Sequence, residues 1–90
     1  MFTVVAYDIS DDKRRTKIAK ILEEYGVRKN YSVFECMLSR DQLTKMKKRI
    51  ASKLKSNSDT VLYYYLCKEC LHKAEQYGGE NHEDKIIRIV

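Results

Sequence analysis

An α+β sandwich is the fold class this sequence predicts, on three observations. Two segments place apolar residues at helical spacing, several others are rich in β-branched and aromatic residues, and the two kinds follow one another as β-α-β(β)-α-β-β. That order matches a ferredoxin-like β-α-β-β-α-β sandwich, with two helices on one face of an antiparallel sheet, plus an additional C-terminal strand. At 90 residues the chain is read as one domain, residues 1–90, with a single core and a large wet surface, so a homodimer is a natural source of further stability.

The first strand spans residues 2–8, where an apolar run breaks abruptly into a charged segment. A helix over residues 11–25 follows, with Ile18, Ile21, Leu22 and Tyr25 on one face and Asp11 and Asp12 in its first turn. Gly26 reads as its left-handed stop. From Val27 to Leu38 the β-formers return as one strand or a tight hairpin, with Phe34, Cys36 and Leu38 alternating. Ser39 and Gln42 form a capping box, and Leu43, Met46, Ile50 and Leu54 mark a second amphipathic helix ending near Lys55. Turn residues 56–59 lead to a strand over residues 60–67, then to a polar loop holding Gly78 and Gly79 and a short strand over residues 85–90. That last strand is surplus to the sandwich and is free to pair with the sheet edge of a second copy.

The formal net charge of +5 and a pI near 9.1 favour an acidic partner, of which nucleic acid is the commonest. Lys13, Arg14, Arg15, Lys17, Lys20, Arg28 and Lys29 are the basic residues outside the second helix, which is itself lysine-rich, and Arg14, Arg15, Lys17, Arg28 and Lys29 are the candidate phosphate contacts among them; solvated faces account for part of this set. No apolar run approaches the about 20 residues of a membrane span and no leader pattern is present, which predicts a cytoplasmic protein without a membrane partner. Three cysteines in such a chain argue against a disulfide scaffold. Cys67 and Cys70, with His72 and His82 beyond, have a partial zinc pattern, but buried thiols or a redox-sensitive pair suit the spacing better. Tyr63, Tyr64 and Tyr65 alternate across a strand, so they read as core-related rather than as a base-stacking platform.

Asp8 is the chemically distinctive residue. A carboxylate delivered by a buried strand beside Arg14 and Arg15 suits a metal ion and a phosphate, although an aspartate there also serves simply as a turn former or helix cap. One carboxylate is too little for a dedicated cage. Magnesium, however, keeps several waters and accepts one or two carboxylates plus phosphate oxygens, and a two-fold dimer brings a second Asp8. No general base is evident, since His72 and His82 read as solvated loop residues.

Three segments together carry a resemblance: Val5-Ala6-Tyr7-Asp8-Ile9-Ser10-Asp11-Asp12-Lys13-Arg14-Arg15, Tyr31-Ser32-Val33-Phe34-Glu35, and Asp59-Thr60-Val61 leading to Tyr64 and Leu66-Cys67. In this order they resemble the Cas2 family of CRISPR-associated proteins. The resemblance implies a ferredoxin-like homodimer that works beside the Cas1 integrase in acquiring spacers, and a magnesium-dependent endoribonuclease acting on single-stranded RNA, with DNA as a further substrate. It makes Asp8 the metal ligand and catalytic residue and adds Tyr7, Arg15 and Phe34 to the catalytic set. Ser32 joins Arg14, Arg15, Lys17, Arg28 and Lys29 as nucleic-acid-binding. The chain departs from the family pattern at Cys36, where glycine is usual, and at Tyr65, where proline is common. Two other readings stand beside this one: a non-catalytic dimeric scaffold bridging integrase units on duplex DNA, and a toxin-type ribonuclease of the virulence-associated family.

Overall fold

The computed structural model describes residues 1–55, 57–73 and 75. Its elements are β1 (Phe2–Asp8), α1 (Asp12–Glu23), β2 (Gly26–Asn30), β3 (Val33–Met37), α2 (Arg40–Ala51), β4 (Thr60–Leu66) and α3 (Lys68–His72). The strands form one sheet in the order β2-β3-β1-β4, each neighbouring pair antiparallel. This is the ferredoxin-like arrangement, with its two connections through α1 and α2. The strand expected over residues 85–90 lies outside the described residues, together with Gly78, Gly79 and His82.

Strand alternation divides the sheet into two unlike faces. Val5, paired with Phe34 and Tyr63, and Thr3, paired with Cys36 and Tyr65, belong to the face that packs under the helices. Ile18, Ala19, Ile21 and Leu22 of α1 and Leu43, Met46 and Ile50 of α2 close that core. Phe34, Ile18, Leu22 and Met46 are fully buried, each contributing on the order of 1.5–3 kcal/mol by leaving water. On the opposite face lie Val4, paired with Glu35 and Tyr64, and Ala6, paired with Val33 and Leu62. Val27, Met37, Leu62 and Tyr64 are exposed on that face, whereas Phe2 and Glu35 on it are buried.

Helix boundaries follow local hydrogen bonding. Asp11 lies just outside α1 as its N-cap, its carboxylate accepting the Arg14 backbone N–H at 2.9 Å. The capping box of α2 is formed: Gln42 N–H donates to Ser39 Oγ at 3.1 Å, and Ser39 N–H donates to Gln42 Oε1 at 2.9 Å. α2 ends at Ala51, short of Lys55, yet Leu54 still packs against the core from the turn beyond it.

Two expectations are corrected, for Gly26 and for the exit from β4, and the open choice between one strand and a hairpin is resolved to the hairpin. Gly26 is not a left-handed stop. Its φ lies outside that region, and it opens β2 where a Cβ would collide with the Glu35 carbonyl and lie 2.5 Å from Cys36 Sγ. The segment after β1 and α1 is a hairpin of two strands, turning at Tyr31 and Ser32 with Ser32 N–H held by Asn30 Oδ1 at 3.1 Å, and a bulge interrupts its register between Arg28 and Asn30. The chain also leaves β4 through a short helix, α3, rather than directly through a polar loop. Cys67 Sγ accepts the Cys70 backbone N–H at 3.3 Å, occupying the position of an N-capping side chain.

Candidate metal and nucleic-acid site

Asp8 is the last residue of β1, paired with Thr60, and its side chain is exposed on the side of the sheet opposite α1 and α2. Among the described residues its carboxylate makes no ion pair and no side-chain hydrogen bond. No group of three or more His, Cys, Asp or Glu that could hold a metal ion occurs among those residues. Among the described residues, one chain therefore presents a single unpaired carboxylate, Asp8, at the end of a sheet face on which Leu62 and Tyr64 are exposed. That donor set fits a largely hydrated magnesium ion shared with a second carboxylate, and does not fit a closed cage.

The neighbours of Asp8 fasten the strand end. Tyr7 points to the other side of the sheet, where it is buried; its hydroxyl donates to Tyr31 O at 3.2 Å and its N–H to Ser32 O at 3.0 Å. Burial raises the Tyr7 phenol above its ordinary pKa, so at neutral pH it is a donor and not a base. The Tyr7 and Phe34 rings stack at 6.3 Å within the core. Tyr7 and Phe34, which the resemblance adds to the catalytic set, lie on the core side of the sheet, and Asp8 is exposed on the other, so the structure does not bring the three side chains together. Arg15 donates to the carbonyls of Ile9 at 3.0 Å and Ser10 at 3.3 Å and pairs with Asp12, so its guanidinium ties down the connection that follows Asp8. Tyr7, Arg15, Ser32 and Phe34 thus position the end of β1.

The candidate cations divide into paired and open groups. Arg14 grips Asp59 through Nε at 2.7 Å and Nη2 at 3.2 Å, and Asp59 also accepts the Lys55 N–H at 2.9 Å. Lys29 lies 4.0 Å from Glu35. Arg28 lies over the Phe34 ring at 5.2 Å and shares a cleft of about 290 Å³ with Tyr7, Arg15, Lys20 and Tyr31. Lys17 lines a second cleft, about 520 Å³, between α1 and α2 with Lys20, Arg49 and Lys53; of these Arg49 is held by Glu24 at 2.7 Å. Nothing in the local sequence signals the Arg14 to Asp59 link, since Asp59 sits in a turn composition that reads as solvated.

Arg14 and the backbone N–H of Lys55 hold the Asp59 carboxyl below its ordinary range. A depressed native pKa stabilises the fold fully above the unfolded carboxylate value of about 3.9, and the contribution disappears as pH falls through the native value. Asp59→Asn is therefore expected to lower the thermal midpoint at pH 7 by roughly 5–10 °C, with the gap to the parent narrowing as the pH falls below about 3.9. Paired melts followed by circular dichroism at pH 7 and below about pH 3.9 check this; a gap independent of pH would remove the ion pair as its cause.

Against this geometry stand the similarities to known proteins. The family described as CRISPR associated protein Cas2 matches residues 1–74. A Synechocystis protein named CRISPR-associated endoribonuclease Cas2 is 43% identical over 75 residues, which cover 83% of this chain and 82% of that one. The crystal structure of Streptococcus pyogenes Cas2 superposes with a TM-score of 0.78 at 29% identity, covering 87% of this chain and 100% of the other. A chain of a partial Cas6-RT-Cas1–Cas2 complex superposes with a TM-score of 0.72 at 26% identity, covering 83% and 88%.

Proposed function

The chain belongs to the Cas2 family of CRISPR-associated proteins, and from that premise we propose that it is a nucleic-acid-binding homodimer acting with the Cas1 integrase in spacer acquisition and able to cleave single-stranded RNA with magnesium. The observation that carries this reading is Asp8, an exposed carboxylate, unpaired among the described residues, at the end of the sheet face opposite α1 and α2. A second copy packed on that face would bring two Asp8 side chains toward one axis. Magnesium, when bound there, supplies an activated water and offsets charge at the phosphate under attack. The chain's own contribution is placement. Arg15 and the Tyr31–Ser32 turn hold the strand end that carries Asp8, and the cleft lined by Arg15, Lys20 and Arg28 offers positive charge to neighbouring phosphates.

A second reading, a basic bridge that holds duplex DNA between integrase units, is favoured by the cleft between α1 and α2. Its Lys17, Lys20 and Lys53 make no ion pair among the described residues. Matched wild type and Asp8→Asn, confirmed in the same oligomeric state, separate the two when incubated with end-labelled single-stranded RNA and with duplex DNA, with magnesium and then with chelator. The expected result is RNA cleavage that requires magnesium and falls at least about 100-fold in Asp8→Asn, while salt-dependent duplex binding persists in both proteins. Equal cleavage in both, or none in either, removes Asp8 from catalysis and leaves the bridge.

A further inference from the structure

We propose that Cys67 and Cys70 are a redox-active dithiol that closes reversibly to an intrachain disulfide by exchange with low-molecular-weight disulfides of the glutathione type. The pair lies where the chain leaves the sheet: Cys67 follows Leu66, the end of β4, and Cys70 is in the first turn of α3. The two sulfur atoms are 3.3 Å apart, and both side chains are exposed. Closing them to a bond of about 2.05 Å is a short movement on a surface turn. Among the described residues no third His, Cys, Asp or Glu completes a metal-binding group with them, which separates this pair from a zinc site.

The two thiols are unequal. Cys67 Sγ accepts the Cys70 backbone N–H at 3.3 Å and lies at the same distance from Cys70 Sγ, and hydrogen bonding with Cys70, the backbone N–H first, lowers its pKa. Cys36 provides the internal contrast. It is fully buried beneath the helices, and burial pushes its thiol up to about 11. The chemistry then runs in a fixed order. The Cys67 thiolate attacks one sulfur of the small disulfide, forming a mixed disulfide and expelling one thiolate. Cys70 loses its proton and attacks Sγ of Cys67, forming the intrachain bond and expelling the second thiolate. The protein gives up two electrons and two protons, and the small disulfide is reduced to two thiols. The product fastens the first turn of α3 to the end of β4. It leaves the β1 to β4 register unchanged, since that register ends at Leu66.

The test uses the full chain equilibrated over a series of reduced to oxidised glutathione ratios, quenched with acid, alkylated and read by mass spectrometry. The expected species is lighter by about 2 Da, carries a Cys67 to Cys70 link, has lost alkylation at both positions, and regains it with excess thiol. Cys36 should take label only after denaturation. Cys70→Ser should stop at a glutathione adduct on Cys67; both side chains are exposed, so the substitution leaves the core untouched. Full alkylation of Cys67 and Cys70 at the most oxidising ratio would overturn the proposal, as would linkage only between chains or zinc retained at one per site.

Discussion

Gly26→Ala will lower the thermal midpoint by roughly 10–20 °C, the effect of about 2–3 kcal/mol in a domain of this size. The cause is contact, since the backbone φ of Gly26 is one that alanine tolerates. An added methyl would run into the Glu35 carbonyl oxygen, with the carbonyl carbon at 2.9 Å and Cys36 Sγ at 2.5 Å. Cys36 Sγ can rotate away; the carbonyl belongs to the central part of β3 and cannot. Relief therefore requires β2 to move off β3, opening the hairpin that carries the Tyr31 and Ser32 contacts to Tyr7. The double substitution Gly26→Ala with Cys36→Gly removes the sulfur conflict and leaves the carbonyl one, so its rescue should be partial. Circular dichroism melts of the two variants decide this: a loss below about 3 °C in the single variant would mean that β2 and β3 do not approach as closely as described.

The same glycine shows where sequence reading stops. A glycine after an amphipathic helix satisfies two physical demands, positive φ or close approach, and only the strand lying across it tells which one operates. Features whose causes are local were legible. β1 matches its apolar run, and α2 starts at the capping box that Ser39 and Gln42 specify. Features whose causes lie far along the chain were not. Asp59 meets Arg14 across 45 positions, so a residue that reads as a solvated turn former is a buried ion-pair partner, and a candidate phosphate contact is occupied within the fold. Cys67 and Cys70 fall between these cases: their spacing predicts a pair, but only the structure shows that both are exposed and not buried. At the candidate site, alternation already requires Tyr7 and Asp8 to face opposite ways. Grouping them by motif obscured a fact that the strand itself supplies, and the structure separates them into an exposed carboxylate and a buried phenol.

Leu62→Glu will convert the proposed homodimer to monomers at concentrations where the parent is paired, raising the dissociation constant at least about 100-fold. Leu62 is opposite Ala6 and beside Tyr64 on the sheet face opposite α1 and α2, and both Leu62 and Tyr64 are about half exposed, at 48% and 51%. A second copy packed there would strip water from the new carboxylate with no cation facing it from Ala6, Val4 or Tyr64. Lys45→Glu, on the solvent side of α2, makes the same or a larger charge change away from the sheet and should leave the dimer intact. Sedimentation equilibrium over a concentration series reads the difference; dissociation by both variants, or by neither, would remove this sheet face as the dimer surface. The consequence for chemistry is sharper than the loss of a partner. Asp8 terminates that face and is the only carboxylate the site receives from the described residues of one chain, so on the proposed function Leu62→Glu should abolish metal-dependent cleavage with Asp8 untouched. Cleavage that survives in the monomer would place the whole metal site within one chain, and the two-fold pairing of Asp8 would then have no role in it.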